Sequence, residues 1–412
     1  MSNDPVELIF LGTGTSSSLP SIGCLTLPRD GSDEQGCRAC LSTLKPEGKK
    51  NIRRNTSAAV RMKDKKGQPI TIVIDAGKTF QAAALEWFPT HGLRRIDALL
   101  LTHAHADAMN GLDDLRGTDA PSKGGRRLTN ASDPGWTLGS TIQDHVDVYL
   151  SQATFQEVKR SFPYLVSKEY ASGGGDVPDF IWHIIDDGVP FEINDTGIFV
   201  TPFAVHHGRI FSTLPCPAYA PTPTNDVGHE SSAPVDMMRR MNINGNSSPQ
   251  FLEPNPQKAI QPYYCFGYKI EDHLVYISDV SYIPESAWSV IRGTKDDSKR
   301  LPVCVLDCLG PKRHASHFGL DQSVATAREI GALRSYFVGF SHRVSHEEYV
   351  TITEVLGGKT HAEEGLSEKE REGISMLGDG ENIWARPAHD GLRVLIDGED
   401  GVRDETYDPA PV

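Results

Sequence analysis

The feature that most constrains this chain is a run of apolar residues that ends in two closely spaced histidines and an aspartate. Residues 96–101 read IDALLL, and Thr102 then leads into His103, His105 and Asp107 in the pattern HxHxD. A short segment rich in Ile and Leu predicts a buried strand. Because alternate residues of an extended segment point to one side, the two imidazoles and the carboxylate converge where the strand ends. This spacing indicates a metal site.

The rest of the sequence predicts a mixed α/β fold. The chain has 38 Gly and 27 Pro in 412 residues, which excludes a helical bundle and favours short strands joined by turns. Apolar segments rich in β-branched residues predict strands at 6–11, 56–61, 70–74, 96–102, 146–150, 198–205, 273–277, 303–307, 336–340 and 392–396. Segments with helical spacing predict helices at 79–88, 153–162, 321–330 and 346–356.

The chain length allows two or three domains, or one large domain that carries insertions. Three polar stretches have the composition of insertions and are expected to form surface loops: 117–143, 215–262 and 357–382. The sequence shows no internal repeat of the kind that builds solenoids. We therefore expect a single domain over residues 1–412 with these three insertions.

Charge and hydropathy limit the partners of the chain. It carries 41 Lys plus Arg and 55 Asp plus Glu, a formal net charge of −14, which disfavours nucleic acid as a partner. No run of about 18 apolar residues predicts a membrane span, and the first ten residues lack a signal peptide's basic start. We expect a cytoplasmic protein, with the nucleus as the alternative compartment and a homodimer as a compatible assembly.

The cysteines indicate a second metal or redox feature. The chain has 7 cysteines, and Cys37 and Cys40 form a CxxC pair. In a reducing compartment this pair favours metal or redox chemistry over disulfides. No βαβ pattern surrounds the pair, so a thioredoxin-type function is disfavoured.

Together, these motifs resemble the metallo-β-lactamase superfamily, in which HxHxD follows a strand and an earlier strand ends in DAG, here residues 75–77. The LGTGT at 11–15, the N-terminal cysteines and the GLDDLR at 111–116 resemble the branch that contains the bacterial cyclic phosphodiesterase of phosphonate breakdown. The resemblance covers residues 6–394 apart from the insertions. It implies an α/β fold of the four-layer αββα metallo-β-lactamase type, with metals at one edge.

The resemblance also implies the ligands of two neighbouring catalytic metal positions. The first position would take His103, His105 and His207 with a bridging Asp279, and the second Asp107, Asp279 and His342. The superfamily usually reads HxHxDH, and this chain has Ala108 in place of the last histidine. We expect Zn²⁺ at the first position. At the second, the metal would bind more weakly or be Mn²⁺, because the remaining ligands are richer in oxygen.

A third, structural zinc site is implied near the amino end. Its ligands would be Cys24, Cys37, Cys40 and His346, a closed tetrahedral set. The alternative is that these are free thiols in a loop. Cys216, Cys265, Cys304 and Cys308 lie outside this group.

Asp107 and His317 are the predicted catalytic residues. His317 precedes a predicted helix and aligns with a histidine that, in the resembling enzyme, contacts the substrate phosphate or protonates the leaving oxygen. The alternative is a helix-capping or surface histidine. A divalent metal in this site would lower the pKa of water to about 7 and so provide hydroxide at neutral pH.

The function predicted from the sequence is a metal-dependent phosphodiesterase that acts on small or cyclic phosphate esters. One alternative is a nucleic-acid hydrolase of the transfer-RNA 3′-processing type, against which the net charge argues. The other is a non-hydrolytic metal-binding protein of the pyrroloquinoline-quinone-associated type, which the alanine at position 108 keeps open.

Overall fold

The structure is a computed structural model that describes residues 5–27, 37–115, 143, 145–170, 179–210, 261–293, 300–397 and 401–408. Within these residues the strands are β1 (Val6–Gly12), β2 (Ser57–Lys63), β3 (Pro69–Ile74), β4 (Ala98–Leu100), β5 (Val146–Leu150), β6 (Phe180–Ile184), β7 (Phe191–Glu192), β8 (Phe199–Arg209), β9 (Pro262–Ile270), β10 (Leu274–Ile277), β11 (Val303–Asp307), β12 (Arg334–Val338), β13 (Ala385–Pro387), β14 (Arg393–Asp397) and β15 (Gly401–Asp404). The α-helices are α1 (Ile22–Leu25), α2 (Arg38–Ser42), α3 (Phe80–His91), α4 (Ala106–Met109), α5 (Gln152–Ser161), α6 (Pro163–Val166), α7 (Glu285–Arg292), α8 (Leu320–Ile330), α9 (His346–Leu356) and α10 (Glu368–Ser375).

The described strands form two sheets. The first has the order β15-β14-β1-β2-β3-β4-β5-β6, and the second has the order β13-β12-β11-β10-β9-β8-β7. The strands from β3 to β6 pair in parallel, as do the strands from β10 to β13. Functional loops of α/β proteins usually follow the carboxyl ends of parallel strands. The loops after β4, β10 and β11 occupy such positions.

Strand β1 shows why these segments are apolar throughout. Leu8 and Phe10 lie in the core between the sheets, whereas Ile9 and Leu11 lie in a second core under the outer helices. A strand buried on both faces needs apolar residues at consecutive positions.

Three apolar cores define the layers of the fold. One core lies between the sheets. Another packs the first sheet against α3 and α5, and the last packs the second sheet against α7, α8 and α9. Three cores separate four layers, so the predicted four-layer αββα sandwich is confirmed.

Each strand and helix listed from the sequence has a counterpart in the structure, with small shifts at the ends. The strands not predicted are β6, β7, β9, β13 and β15. Most are short, or partly exposed edge strands such as β6, whose residues range from half-buried to exposed. Such strands lack the continuous apolar run that marks a buried strand.

No described helix is both long and apolar enough to cross a membrane.

The stretch 357–382 is not simply the loop that its composition predicted. It contains α10, which begins with a capping box between Ser367 and Glu370. Gly373 of this helix is buried, and an added Cβ there would lie 2.3 Å from Ile352 of α9. The Ser-x-x-Glu pattern marks a helix start, and at residues 367–370 it would have predicted α10. The other two predicted insertions fall outside the described residues, apart from 143 and 261–262, and the single domain stays a prediction.

Candidate metal centres

The loop that carries HxHxD is held by the end of the neighbouring strand β3. The Asp75 carboxylate accepts hydrogen bonds from the backbone N–H and the hydroxyl of Thr102, both at 2.8 Å. The Ala76 N–H donates to the carbonyl of Ala108 at 2.8 Å. An added Cβ at Gly77 would lie 1.8 Å from the carbonyl oxygen of Asp107, so only glycine permits this approach. The DAG segment therefore fixes the backbone on which the ligands stand.

His103 is oriented by the same interaction. Its Nδ1 lies 2.8 Å from the Thr102 hydroxyl, whose proton is already donated to Asp75. The Nδ1 therefore carries the ring proton, and Nε2 keeps its lone pair. That Nε2 is buried and has no hydrogen-bond partner. Burial also lowers the pKa of His103 well below its usual range. A neutral imidazole with a free, buried nitrogen, oriented through a carboxylate, is the usual form of a metal ligand.

A bulge in β8 brings His207 to the same point. The pairing register shifts between His206 and Arg209, and Gly208 has a φ of 77°. The His207 Nδ1 donates to the carbonyl of Ser316 at 2.7 Å, which leaves Nε2 as the free nitrogen. The ring of His206 instead lies beside Tyr264 and Tyr282, with ring centres 5.5 and 5.1 Å away. His207 is therefore the ligand candidate of this pair, as predicted.

The three predicted imidazoles converge. The candidate ligand atoms of His103, His105 and His207 all lie within 4.8 Å of one another. The His105 Nδ1 is 3.2 Å from the His207 Nε2, and the His105 ring stacks on Tyr263 at 4.7 Å. A tetrahedral zinc with about 2.0 Å bonds to nitrogen places its ligand atoms about 3.3 Å apart. The donor set and its spacing therefore fit a zinc ion.

Asp279 completes this group from the loop after β10. Its Oδ2 lies 3.4 Å from the His207 Nε2 and 3.6 Å from the His103 Nε2. Burial alone would raise the pKa of Asp279, but the surrounding imidazoles, His207 first, bring it to about 2. The carboxylate is therefore ionised at neutral pH and gives the centre a negative ligand.

His317 lies beside the same centre and is held by a buried carboxylate. Its Nδ1 lies 2.9 Å from the Asp307 Oδ2. Burial lowers the pKa of His317, yet the charge of Asp307 outweighs it and raises that pKa to about 9. The candidate ligand atoms of His207, Asp279 and His317 lie within 4.8 Å of one another. His317 is thus part of the centre and not a surface histidine.

Asp107 and Ala108 form the part of the loop that departs from the family pattern. Burial, and then the charge of Asp279, raise the pKa of Asp107. The Asp107 carboxylate is therefore close enough to interact electrostatically with Asp279. It lies outside the two groups of ligand atoms described above for this centre. Ala108 is buried and offers no ligand atom.

A second, separate cluster lies near the amino end, and it corrects two assignments. The ligand atoms of Cys24, Cys37, Cys40 and His342 all lie within 4.8 Å of one another. The Cys24 and Cys37 sulfurs are 3.7 Å apart, and each is 3.3 Å from the His342 Nδ1. Tetrahedral zinc with bonds of about 2.3 Å to sulfur requires sulfurs about 3.8 Å apart. The geometry fits a closed structural site better than it fits unrelated thiols.

The sequence had placed His342 in the catalytic centre and His346 in the cysteine cluster, and both placements were wrong. His342 follows β12 in a turn, whereas His346 is the first residue of α9. The buried His346 has its Nε2 3.3 Å from the Tyr407 hydroxyl, and its backbone N–H donates to Asn51. Ser345 and Glu348 form a capping box, so the Ser-x-x-Glu pattern could have located His346 inside a helix start.

Arg53 is a residue that sequence reasoning missed. It is 1% exposed, and its guanidinium donates to the carbonyls of Ser341 and Val344 at 2.6 and 3.0 Å. Its backbone pairs with Leu19, two residues before Ser21, whose N–H donates to the Cys40 sulfur at 3.2 Å. Arg53 therefore joins the two segments that carry the cluster. No sequence signal distinguishes it from a surface arginine.

We predict that Asp75→Asn weakens metal binding at the histidine centre by about 10- to 100-fold, the usual effect of removing a group that orients a ligand. An amide cannot accept both hydrogen bonds from Thr102, so His103 loses its fixed orientation. Titration with zinc against a chelator measures the change. The control is Asp97→Asn. Asp97 directly precedes β4, and its carboxylate accepts a hydrogen bond from the Thr71 N–H. Equal affinities in the two variants would contradict this role.

We predict that Cys37→Ser lowers the zinc content of the purified chain by one ion and lowers its melting temperature, because a structural site contributes folding free energy. Cys304→Ser is the matched control, since Cys304 is equally a thiol but lies buried in β11. It should keep the full zinc content. A Cys37→Ser protein with undiminished zinc would show that the cluster is not a metal site.

Comparison with known proteins agrees with this architecture. A family model described as "Beta-lactamase superfamily domain" matches residues 71–228, which include the HxHxD loop and His207. An octanoyltransferase of Porphyromonas gingivalis is 28% identical over 207 residues, which are 50% of this chain and 32% of that protein. The chain thus spans about a third of the length of this curated relative.

Two solved structures are similar to this chain, and the first of them shares its fold. The crystal structure of a diphosphatase from the PhnP family has a TM-score of 0.54 and 22% identity, and covers 95% of this chain and 97% of that one. The metallo-β-lactamase fold protein YhfI of Bacillus subtilis has a TM-score of 0.47 and 12% identity, and covers 95% and 100%. The family model shows that residues 71–228 match a β-lactamase superfamily domain, and the sandwich shows that the chain has the metallo-β-lactamase fold.

Proposed function

We propose that the chain is a metal-dependent hydrolase that cleaves phosphodiester bonds in small or cyclic phosphate esters. One observation carries the proposal: three imidazoles and the Asp279 carboxylate converge beside His317, which the buried carboxylate of Asp307 holds. The imidazoles and the Asp279 carboxylate suit a divalent cation, and His317 suits an anionic substrate. The fold is shared with a diphosphatase, which supports phosphate esters as the substrate class.

A divalent metal held by His103, His105, His207 and Asp279 supplies activation of water and neutralisation of charge on the phosphoryl oxygens. Zn²⁺ is the proposed ion, since the set is rich in imidazole. The protein itself contributes rigid placement of these ligands. The hydrogen bonds that connect Asp75, Thr102 and His103 fix one imidazole ring, and the bond from His207 to Ser316 fixes a second. Both rings are therefore oriented before a metal ion binds.

His317 is proposed to act directly on the substrate. Asp307 accepts from its Nδ1 and also from the backbone N–H groups of Val280 and Phe318, at 3.1 and 3.3 Å. These bonds fix the ring so that Nε2 faces His207 and Asp279. A protonated Nε2 can donate to a phosphoryl oxygen, or to the alkoxide as it leaves. The raised pKa of His317 supports the protonated form at neutral pH.

The net charge of −14 favours small substrates over polymers, since a polyanion would be repelled. An assay with a bis-aryl phosphodiester, a panel of 2′,3′-cyclic nucleotides and a precursor transfer RNA tests the proposal. We expect hydrolysis of the first two. Cleavage of the RNA alone would make the protein a nucleic-acid hydrolase. Metal binding without any hydrolysis would make it a binding protein.

We predict that His207→Ala loses hydrolysis of the bis-aryl phosphodiester, because a metal ligand is removed. His206→Ala, its neighbour on the same strand, removes an imidazole that packs against Tyr264 and Tyr282, and should keep the parent rate. His105→Ala removes a more exposed ligand and should behave as His207→Ala does, which guards against a folding defect at position 207. Parental turnover in the ligand variants, or equal loss in His206→Ala, would refute the assigned centre.

We predict that His317→Ala slows turnover by about 10²- to 10⁴-fold while the zinc content stays at the parent level, as expected for loss of a proton donor. The loss should be smaller for an ester with a nitrophenolate leaving group than for one with an alkyl leaving group, because nitrophenolate needs little protonation. His314→Ala is the control, since His314 is exposed and its Nδ1 contacts the Ser316 hydroxyl instead of Asp307. A uniform loss for all leaving groups would leave only a role in binding.

A further inference from the structure

The family pattern implies a second metal ion beside the first, with Asp107, Asp279 and His342 as its ligands in this chain. His342 does not belong to that position. Its Nδ1 lies 3.3 Å from two sulfurs of the cysteine cluster. One imidazole cannot serve both places, so the second position loses this ligand. Ala108 already removes the other histidine of the pattern.

The end of β12 offers no replacement. Phe340, which lies between this strand and His342, is buried in the outer core of the second sheet. Its ring is 4.4 Å from the ring of Tyr349, and the Arg53 guanidinium lies 5.2 Å from its centre. The side chain therefore packs into the core and carries no ligand atom.

The remaining groups are already engaged. The Asp279 Oδ2 lies within 3.6 Å of two imidazoles of the first group. The candidate ligand atom of His317 lies within 4.8 Å of those of His207 and Asp279, so His317 belongs with the first group. Asp113, an acidic residue near the loop, accepts a hydrogen bond from the Tyr164 hydroxyl at 2.9 Å. Of the three ligands implied for the second position, only Asp107 lies outside the groups of converging ligand atoms found among the described residues.

We infer that the catalytic centre of this chain holds a single tightly bound ion, and that Asp279 is a terminal ligand of it instead of a bridge. Zinc sites in proteins use at least three protein ligands, and the described residues do not supply three at the second position. The inference concerns the metal ligands of the chain and does not depend on which ester is hydrolysed.

Metal counting tests this inference directly. The full chain is loaded with zinc, dialysed at a buffered free zinc concentration, and its metal content is measured by mass spectrometry. We expect two ions per chain, one in each centre, and one ion in Cys37→Ser. Three ions in the parent, or two in Cys37→Ser, would overturn the inference. Should Cys37→Ser fail to fold, the coupling between Mn²⁺ ions measured below decides the question.

Two further variants identify the position. Ala108→His adds an imidazole beside Asp107 and should raise the count to three, whereas His317→Ala should leave it at two. A drop to one in His317→Ala would show that His317 is a ligand of the catalytic ion and would refute its assignment as the group that faces the substrate. Paramagnetic resonance of the Mn²⁺-loaded protein adds a readout independent of activity. Uncoupled Mn²⁺ is expected in the parent and a coupled pair in Ala108→His, and coupling in the parent would contradict the inference.

Discussion

The bond between Asp75 and Thr102 is the interaction on which the catalytic centre depends. It joins the end of β3 to the end of β4, and through Thr102 it sets the proton and the orientation of His103. Asp75 has a φ of 60°, an unfavourable conformation that a buried carboxylate with two strong hydrogen bonds can sustain. The same turn brings Gly77 against the backbone of Asp107. The segment 75–77 therefore sets both the pairing of the two strand ends and the position of the loop that carries the candidate metal ligands.

The cysteine cluster supports the catalytic centre through the turn that carries His342. The Ser341 N–H donates to the carbonyl of Leu309, and the Leu309 N–H donates to the carbonyl of Phe318, at 2.8 and 3.0 Å. Phe318 follows His317 directly. A metal in the cluster would therefore restrain the loop on which His317 stands, although the two centres share no ligand. Backbone hydrogen bonds thus connect the two candidate centres.

The sandwich and the convergence of His103, His105 and His207 could be predicted from the sequence because both depend on local patterns. Apolar runs followed by HxHxD identify a buried strand and its terminal ligands, and His207 and Asp279 follow strands in the same way. The exchange of His342 and His346 could not be settled by spacing, because it depends on which of two nearby residues lies in a turn and which in a helix. Arg53 could not be found at all, since its role comes from contacts with Ser341 and Val344, almost 300 positions away.

Anomalous X-ray diffraction at the zinc edge, from crystals of the zinc-loaded chain, tests the central claim most directly, because it locates each ion. The account predicts two peaks per chain. One should lie among the sulfurs of Cys24, Cys37 and Cys40 and the Nδ1 of His342, and the other among His103, His105, His207 and Asp279. A third peak between Asp107 and Asp279, or the absence of a peak at the cysteine cluster, would contradict the account.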